Sequence, residues 1–353
     1  MPSESVASTI SLDEVNEMLK RWDVGLVREL APMSGGSRTS PKLKLTAERG
    51  VFVLKRRPNF RADLERIRFA HQVMISAGAA GLPIAFAQPA RDGSTFQVHG
   101  DGIYELFLFL NGERWKRAPR QAHEAGRALA TLHQSALQMQ WHGHVNASCF
   151  HGNLMVVEAL RRVPAAIAAA QPSVNQGEVA ALCEKLSNLY QQASEQVDQL
   201  EYEHVASQVV HGDWHPGNIL FDGERVSGVL DFDSARLEPA IADVANGLLQ
   251  YSIRAGPSRA VAQWPHELDE QLFSSFATGF ASVGTATLNN FVNMVPWLMI
   301  EACIAEASIP IARSGMFATI PGDHMLALIM RRATWLQSNA ANLARRLYLD
   351  LAP

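Results

Sequence analysis

One stretch constrains this chain more than any other. It runs Val209-Val210-His211-Gly212-Asp213-Trp214-His215-Pro216-Gly217-Asn218-Ile219-Leu220-Phe221-Asp222-Gly223 and continues through Val229-Leu230-Asp231-Phe232-Asp233 to Asp243. Two apolar strand candidates, 218–221 and 226–230, flank Asp222-Gly223, a pair that favours a hairpin turn. Folding back there sets Asn218, opening one strand, opposite Asp231, closing the other. An amide oxygen and a carboxylate then meet at one end of a ribbon. Those donors suit a hard cation such as Mg²⁺, which takes one or two carboxylates and leaves its other positions to phosphates and water. Gly212, Pro216 and Gly217 keep the preceding loop out of regular helix, and Asp213 on that loop can accept the proton of an attacking hydroxyl. His211 and His215 stand four apart, a spacing that serves one zinc ion only on a helix, so a metal hydrolase is the weaker reading. A Gly/Pro-rich turn with a purely structural His and Asp is the plain alternative.

The spacing Asp213-x-x-x-x-Asn218, followed by Asp231-Phe232-Asp233, reproduces the catalytic loop and metal-binding Asp of protein kinases. The loop nevertheless reads His-Gly-Asp in place of His-Arg-Asp, and Asp-Phe-Asp in place of Asp-Phe-Gly. In this form it resembles the aminoglycoside phosphotransferase/choline kinase-like superfamily, which is composed mostly of small-molecule kinases. The resemblance spans most of the chain, from about 24 to 346. It implies an α+β, bilobal, protein-kinase-like fold, with a small N-terminal antiparallel-sheet lobe (1–109) and a larger, mainly helical C-terminal lobe (110–353). It implies Asp213 as catalytic base, Asn218 and Asp231 as Mg²⁺ ligands with Asp233 helping a second metal, and ATP as donor, GTP being the alternative. His211 and Asp243 then brace the loop, the Asp243 carboxylate by accepting backbone N–H groups of the catalytic turn, while His215 lines the site.

The first part of the chain has a short amphipathic helix at 11–22, then strand candidates at 27–32, 42–46 and 51–56, the last two joined by the turn Ala47-Glu48-Arg49-Gly50. Between the first two lies a small-residue loop with Gly35, Gly36 and Ser37, whose backbone N–H groups can approach phosphate oxygens. It is neither a Gly-x-Gly-x-x-Gly loop nor a P-loop, and on its own a Gly-Gly turn is usually only a hairpin. In Val51-Phe52-Val53-Leu54-Lys55 the alternation puts Lys55 on the face of Val51 and Val53, where an ammonium reaches the phosphates of a nucleotide. The matching superfamily strand carries the nucleotide lysine, so Lys55 takes that role; Arg56 and Arg57 read as solvated ends. A helix at 63–77 should bring an acid to orient the lysine, with Glu65 the choice and Asp63 its competitor. The apolar strand that ends in Asn111-Gly112 resembles the hinge of the superfamily, with backbone groups of Phe107, Leu108 and Leu110 placed to meet adenine.

Beyond the hinge, 120–137 and 178–204 read as helices, and His133 as a core or capping residue. From Val244 onward there are seven acids and seven arginines but no lysine. A polycationic aminoglycoside would want a strongly acidic wall, so the balance favours a hydroxylated acceptor of little net charge, such as an amino alcohol, amino acid or sugar. Trp264, Trp297 and Met299 are candidates to line that pocket, with core packing as the plainer use. Net charge of −4 offers no basic field for nucleic acid. Residues 271–300 carry no charge but hold too many Asn, Gly and Ser for a membrane span. Three scattered cysteines and an N-terminus without a basic–apolar leader fit a reducing, cytoplasmic setting. A protein kinase of the same superfamily and a nucleotide-binding regulator without catalysis are the competing functions. Four intact residues (Lys55, Asp213, Asn218, Asp231) speak against the regulator.

Overall fold

The computed structural model describes residues 10–33, 40–58, 64–137, 139–141, 143, 151–254, 256, 260–284 and 286–351. Gly35, Gly36, Ser37 and Asp63 lie outside the described residues.

Helix α1 (Leu12–Leu19) starts on a capping box: Glu14 N–H donates to Ser11 Oγ while Ser11 N–H donates to the Glu14 carboxylate. Strands β1 (Val27–Pro32), β2 (Lys42–Ala47), β3 (Gly50–Pro58), β4 (Gln97–His99) and β5 (Gly102–Leu108) form one antiparallel sheet in the order β1-β2-β3-β5-β4. α1 covers one face with Val15 and Met18, which join Trp22, Leu45, Phe52, Leu54 and Leu106 in a small apolar cluster. Helix α2 (Leu64–Ala79), between β3 and β4, turns Phe69, Val73 and Met74 into the other, larger cluster, which it shares with the helices that follow.

The rest is mainly helical: α3 (Pro119–Ala136), α4 (Leu154–Ala170), α5 (Gln176–Gln199), α6 (Ala240–Ser252), α7 (Glu270–Ala281), α8 (Val295–Ser314), α9 (Gly322–Ser338) and α10 (Ala340–Asp350). The single helix expected over 178–204 ends at Gln199, because Glu201 turns left-handed (φ 64°) and Tyr202–His204 form a separate 3-10 turn. The stretch Asn290–Ser314 is long and apolar enough to cross a membrane, yet 78% of its most apolar window is buried inside the protein. Met299 is fully buried in that core.

Two short antiparallel pairs interrupt the helices and carry the functional stretch. β6 (Ser207–Val210) pairs with β9 (Arg236–Pro239), and β7 (Ile219–Asp222) pairs with β8 (Arg225–Val229). The hairpin turn is Gly223-Glu224, one residue later than Asp222-Gly223, with Gly223 at φ 58°. Phe221 exchanges backbone hydrogen bonds with Glu113, and Val229 N–H donates to Pro83 O, so the ribbon is tied both to the segment between α2 and β4 and to the segment that leaves the sheet after β5.

Candidate active site

The loop between β6 and β7 is held from behind. Asp243, buried on the first turn of α6, accepts the N–H of His211 (2.7 Å) and of Gly212 (2.8 Å), and lies 3.2 Å from His133 Nε2. Burial pushes its carboxyl up, but His133, His211 and Arg236 outweigh that and hold it below the ordinary range. His211 is fully buried between Trp214 and Phe232. Its Nε2 faces Leu230 O at 3.1 Å and its Nδ1 accepts Asp213 N–H at 3.3 Å, which fits a neutral ring protonated on Nε2. Burial drives the same choice by lowering the imidazole pKa.

Gly212 has φ +76°, and a Cβ there would sit 2.1 Å from Arg236 Nη1 and 2.2 Å from Ser234 O. Arg236 fills that space, donating to Gly212 O and Ser234 O while Glu238 holds its other edge. This is the physical reason for His-Gly-Asp: a side chain at 212 would evict a buried guanidinium. Gly212→Ala is therefore expected to lower stability by about 2 kcal/mol or more. Urea unfolding checks this, and an unchanged midpoint would show that the loop relaxes freely.

Asn218 closes the loop, its Nδ2 donating to Asp213 O (2.9 Å) and Asp213 Oδ2 (3.0 Å). Its carbonyl accepts Leu230 N–H at 2.9 Å, which brings Asp231 to the same end of the ribbon. With Nδ2 committed to Asp213, Oδ1 is the amide atom left for a cation. Burial raises the Asp213 carboxyl, but the His215 hydrogen bond and charge, then His211 and Asn218, prevail and keep it below the ordinary range. His215 caps the 3-10 turn through Gly217 N–H and lies 3.5 Å from Asp213 Oδ2. Burial lowers its pKa, Asp213 raises it, and the net shift is upward.

Asp231 stands in left-handed backbone (φ 58°, ψ 68°), which aims the next residues back at the sheet. Lys55, 4% exposed, places Nζ 3.4 Å from Asp231 Oδ1 and 2.5 Å from Asp233 Oδ2, and Lys42 Nζ lies 3.5 Å from Asp231 Oδ2. The two lysines put positive charge where a bound cation would otherwise balance these carboxylates. Among the described residues no group of three or more His, Cys, Asp and Glu side chains could cage a metal. The corner of Asn218, Asp231 and Asp233 instead fits an ion completed by phosphates and water.

Glu65 does not orient Lys55. The described carboxylates in an ion pair with Lys55 Nζ are Asp231 and Asp233. Glu65 is half-exposed and pairs with Arg68, on an outward stripe with Gln72 and Ile75. The α2 residue that reaches the cleft is Arg66, whose Nε donates to Asp233 O at 3.0 Å. Arg56 and Arg57 are not solvated ends either, because β3 is the central strand and stays paired through Pro58. Arg57, on the face of Lys55, binds Asp233 Oδ1 at 2.5 Å and the fully buried Glu105 of β5. Glu105 also meets His71 Nε2 at 2.8 Å. Burial raises the Glu105 carboxyl, but Arg57 foremost, then His71 and Lys55, bring it down to about 2. Glu105→Gln is expected to cost about 3 kcal/mol, because it removes the fully buried partner of Arg57 and leaves the guanidinium to Asp233 alone, against about 0.5 kcal/mol for Glu65→Ala. Equal losses in thermal unfolding would refute Glu105 as the anchor.

At the hinge, Leu108 N–H is taken by Phe86 O and Phe109 N–H by Val51 O. Phe107 lies in the β3–β5 ladder opposite Val53. Of the three hinge residues expected to meet adenine, Leu110 is the one whose N–H has no partner among the described residues. A residue to which sequence reasoning gave no role lies near the site: Glu306 of α8, whose carboxyl feels the charges of Asp213 and His215. Its signal, one of two acids (with Glu301) in an otherwise apolar helix, is not distinctive.

A sheet-plus-helices fold with a braced His-Gly-Asp loop and an Asp-Phe-Asp corner defines a kinase-like phosphotransferase. Residues 29–279 match the model of the phosphotransferase enzyme family, and the chain belongs to that family: it is a phosphotransferase with a hydroxyl group as acceptor. It is similar to the homoserine kinase of Rhodopseudomonas palustris, 26% identical over 243 residues that cover 68% of this chain and 69% of the relative. Among solved structures it shares its fold with a microcompartment-associated aminopropanol kinase (TM-score 0.68, 12% identity, 96% of this chain and 100% of the other). An amicoumacin kinase in complex with AMP-PNP, Ca²⁺ and Ami is similar at TM-score 0.66 and 13% identity, with 93% of each chain covered.

Proposed function

We propose that this enzyme transfers the γ-phosphoryl group of ATP to a hydroxyl of a small metabolite, with Asp213 as the base. The observation that carries the reading is the convergence of Asp213, Asn218, Asp231 and Lys55. Asn218 bonds Asp213 at 3.0 Å through its side chain and Leu230 through its backbone, and the adjoining Asp231 lies 3.4 Å from Lys55 Nζ. Lys55 receives phosphate oxygens, while Asn218 and Asp231, with Asp233 beside them, would hold Mg²⁺. That ion, when bound, neutralises charge on the phosphates. Asp213, ionised and aimed by Asn218 and His215, takes the proton of the acceptor hydroxyl. Holding donor and acceptor in line supplies most of the acceleration in such transfers.

The kinships add weight: homoserine kinases act on a small hydroxylated molecule, and a structural neighbour is named for aminopropanol. The test is acceptor-stimulated ADP release across a panel of hydroxylated metabolites, with the phosphorylated product identified by ³¹P NMR. A phosphomonoester on one small acceptor is the expected result. ATP consumption only in the presence of protein substrates would overturn the reading in favour of a protein kinase.

A further inference from the structure

We propose that the acceptor is a hydroxylated α-amino acid, its ammonium group received by Glu306 and its carboxylate by Arg332. This rests on the phosphotransferase reading above. Glu306 stands on α8 facing α6, where Gln250 Nε2 donates to its Oε2 and the Asn246 side chain, one turn earlier, lies against the same carboxylate. The side chain is only partly buried, and it is near enough to Asp213 and His215 to feel both charges, so it borders the reaction centre. Burial, then the Asp213 charge, push its carboxyl up to about 7. Among the described residues its hydrogen-bond partner is an uncharged amide, and no lysine or arginine pairs with it. A carboxylate beside the Asp213 carboxylate calls for a cation, and a substrate ammonium supplies one.

The second half of the subsite comes from α9. Arg332 is 4% exposed, and its Nε and Nη2 have no hydrogen-bond partner among the described residues. Its guanidinium reaches Cys303 on α8, three residues before Glu306 and therefore one turn away on the same side of the helix. Burial pushes the Cys303 thiol up to about 11, so it stays neutral and supplies no countercharge. A buried guanidinium fork without an anion is costly, and a carboxylate matches it with two parallel hydrogen bonds. Asn246, 1% exposed, likewise leaves both amide atoms unpartnered beside Glu306.

Glu306 and Arg332 lie to either side of Cys303 on the same side of α8, with no ion pair between them, and an anion and a cation so placed are complementary to the two charges of one amino acid. A side-chain hydroxyl of that ligand then points toward Asp213. An amino alcohol would leave Arg332 unanswered, and a sugar would leave both groups so.

The experiment compares kcat/KM for L-homoserine, L-serine and L-threonine with aminopropanol, γ-hydroxybutyrate and propanediol, using the full chain with ATP and Mg²⁺. One amino acid should exceed each analogue lacking a charge by about thirtyfold or more, the scale of losing one partner of a buried charge pair. Arg332→Gln should cut the amino-acid/aminopropanol ratio about tenfold or more, and Glu306→Gln the amino-acid/γ-hydroxybutyrate ratio likewise. The wild-type panel decides the matter even where a variant fails to fold. Equal or better use of aminopropanol or propanediol overturns the zwitterion subsite and leaves the kinase reading standing. So does an enzyme that binds ATP but ignores all three amino acids. A protein that neither binds ATP nor phosphorylates any hydroxyl overturns both.

Discussion

Asp213→Asn is expected to lower kcat by about a thousandfold, the scale of a positioned general base in its transition state. ATP affinity should stay within about twofold, because the donor is held by other groups. The variant suits the purpose structurally: an amide oxygen at the position of Oδ2 still accepts the Asn218 Nδ2 hydrogen bond, so the loop keeps its form. The loss isolates basicity. Since the Asp213 carboxyl is held below its ordinary range, the base stays ionised throughout neutral pH. The acid limb of kcat/KM should therefore lie below the ordinary carboxylate range, where protons reach the depressed carboxyl. Single-turnover kinetics with calorimetry on ATP separates these quantities. A variant that keeps kcat within about tenfold would remove Asp213 from the base role.

Asp231→Asn should be nearly as damaging, by about a hundredfold or more in kcat, as expected for removing charge from a preorganised electrostatic site. Asparagine tolerates the left-handed backbone that Asp231 adopts, so the corner survives and only the anionic oxygen is lost. Lys42 and Lys55 lose a shared partner, while Asp233 still holds Lys55 at 2.5 Å and Arg57 at 2.5 Å. The signature distinguishing a metal role from a folding role is the Mg²⁺ concentration for half-maximal activity, which should rise along with the loss in kcat. A lower kcat with an unchanged Mg²⁺ requirement would place the ion elsewhere.

The parts of this site that were legible in the sequence are those set by short-range geometry. Turn residues and strand alternation bring Asn218 to Asp231 across a hairpin, and both parity and position aim Lys55 into the cleft. The β1 boundaries, Val27 and Pro32, are those of the strand candidate at 27–32. What was hidden depends on contacts between distant segments. Glu65 is a sound choice by position, but the phase of α2 is set by Phe69, Val73 and Met74 packing on the helical cluster, and this turns Glu65 outward. Arg57 shares parity with Lys55, so its inward direction was readable. That β3 lies in the middle of the sheet, and so carries Arg57 to Glu105 and Asp233, was not. Helix α4 carries Pro164 inside an alanine-rich run, and an interior proline argues against the helix that the alanines favour. Glu306 and Arg332 acquire meaning only when α6, α8 and α9 are packed together.

The central claim is that residues from β3, the catalytic loop and the Asp-Phe-Asp corner meet around one phosphoryl group. A crystal structure with a non-hydrolysable ATP analogue and Mg²⁺ tests it most directly. The account predicts an ion about 2.1 Å from Asn218 Oδ1 and from an Asp231 oxygen. It also predicts Lys55 Nζ on a phosphate oxygen and the Asp213 carboxylate facing the γ-phosphorus across the space for a hydroxyl. An ion bound away from Asn218 and Asp231, or a triphosphate that leaves Lys55 on Asp233 alone, would contradict it.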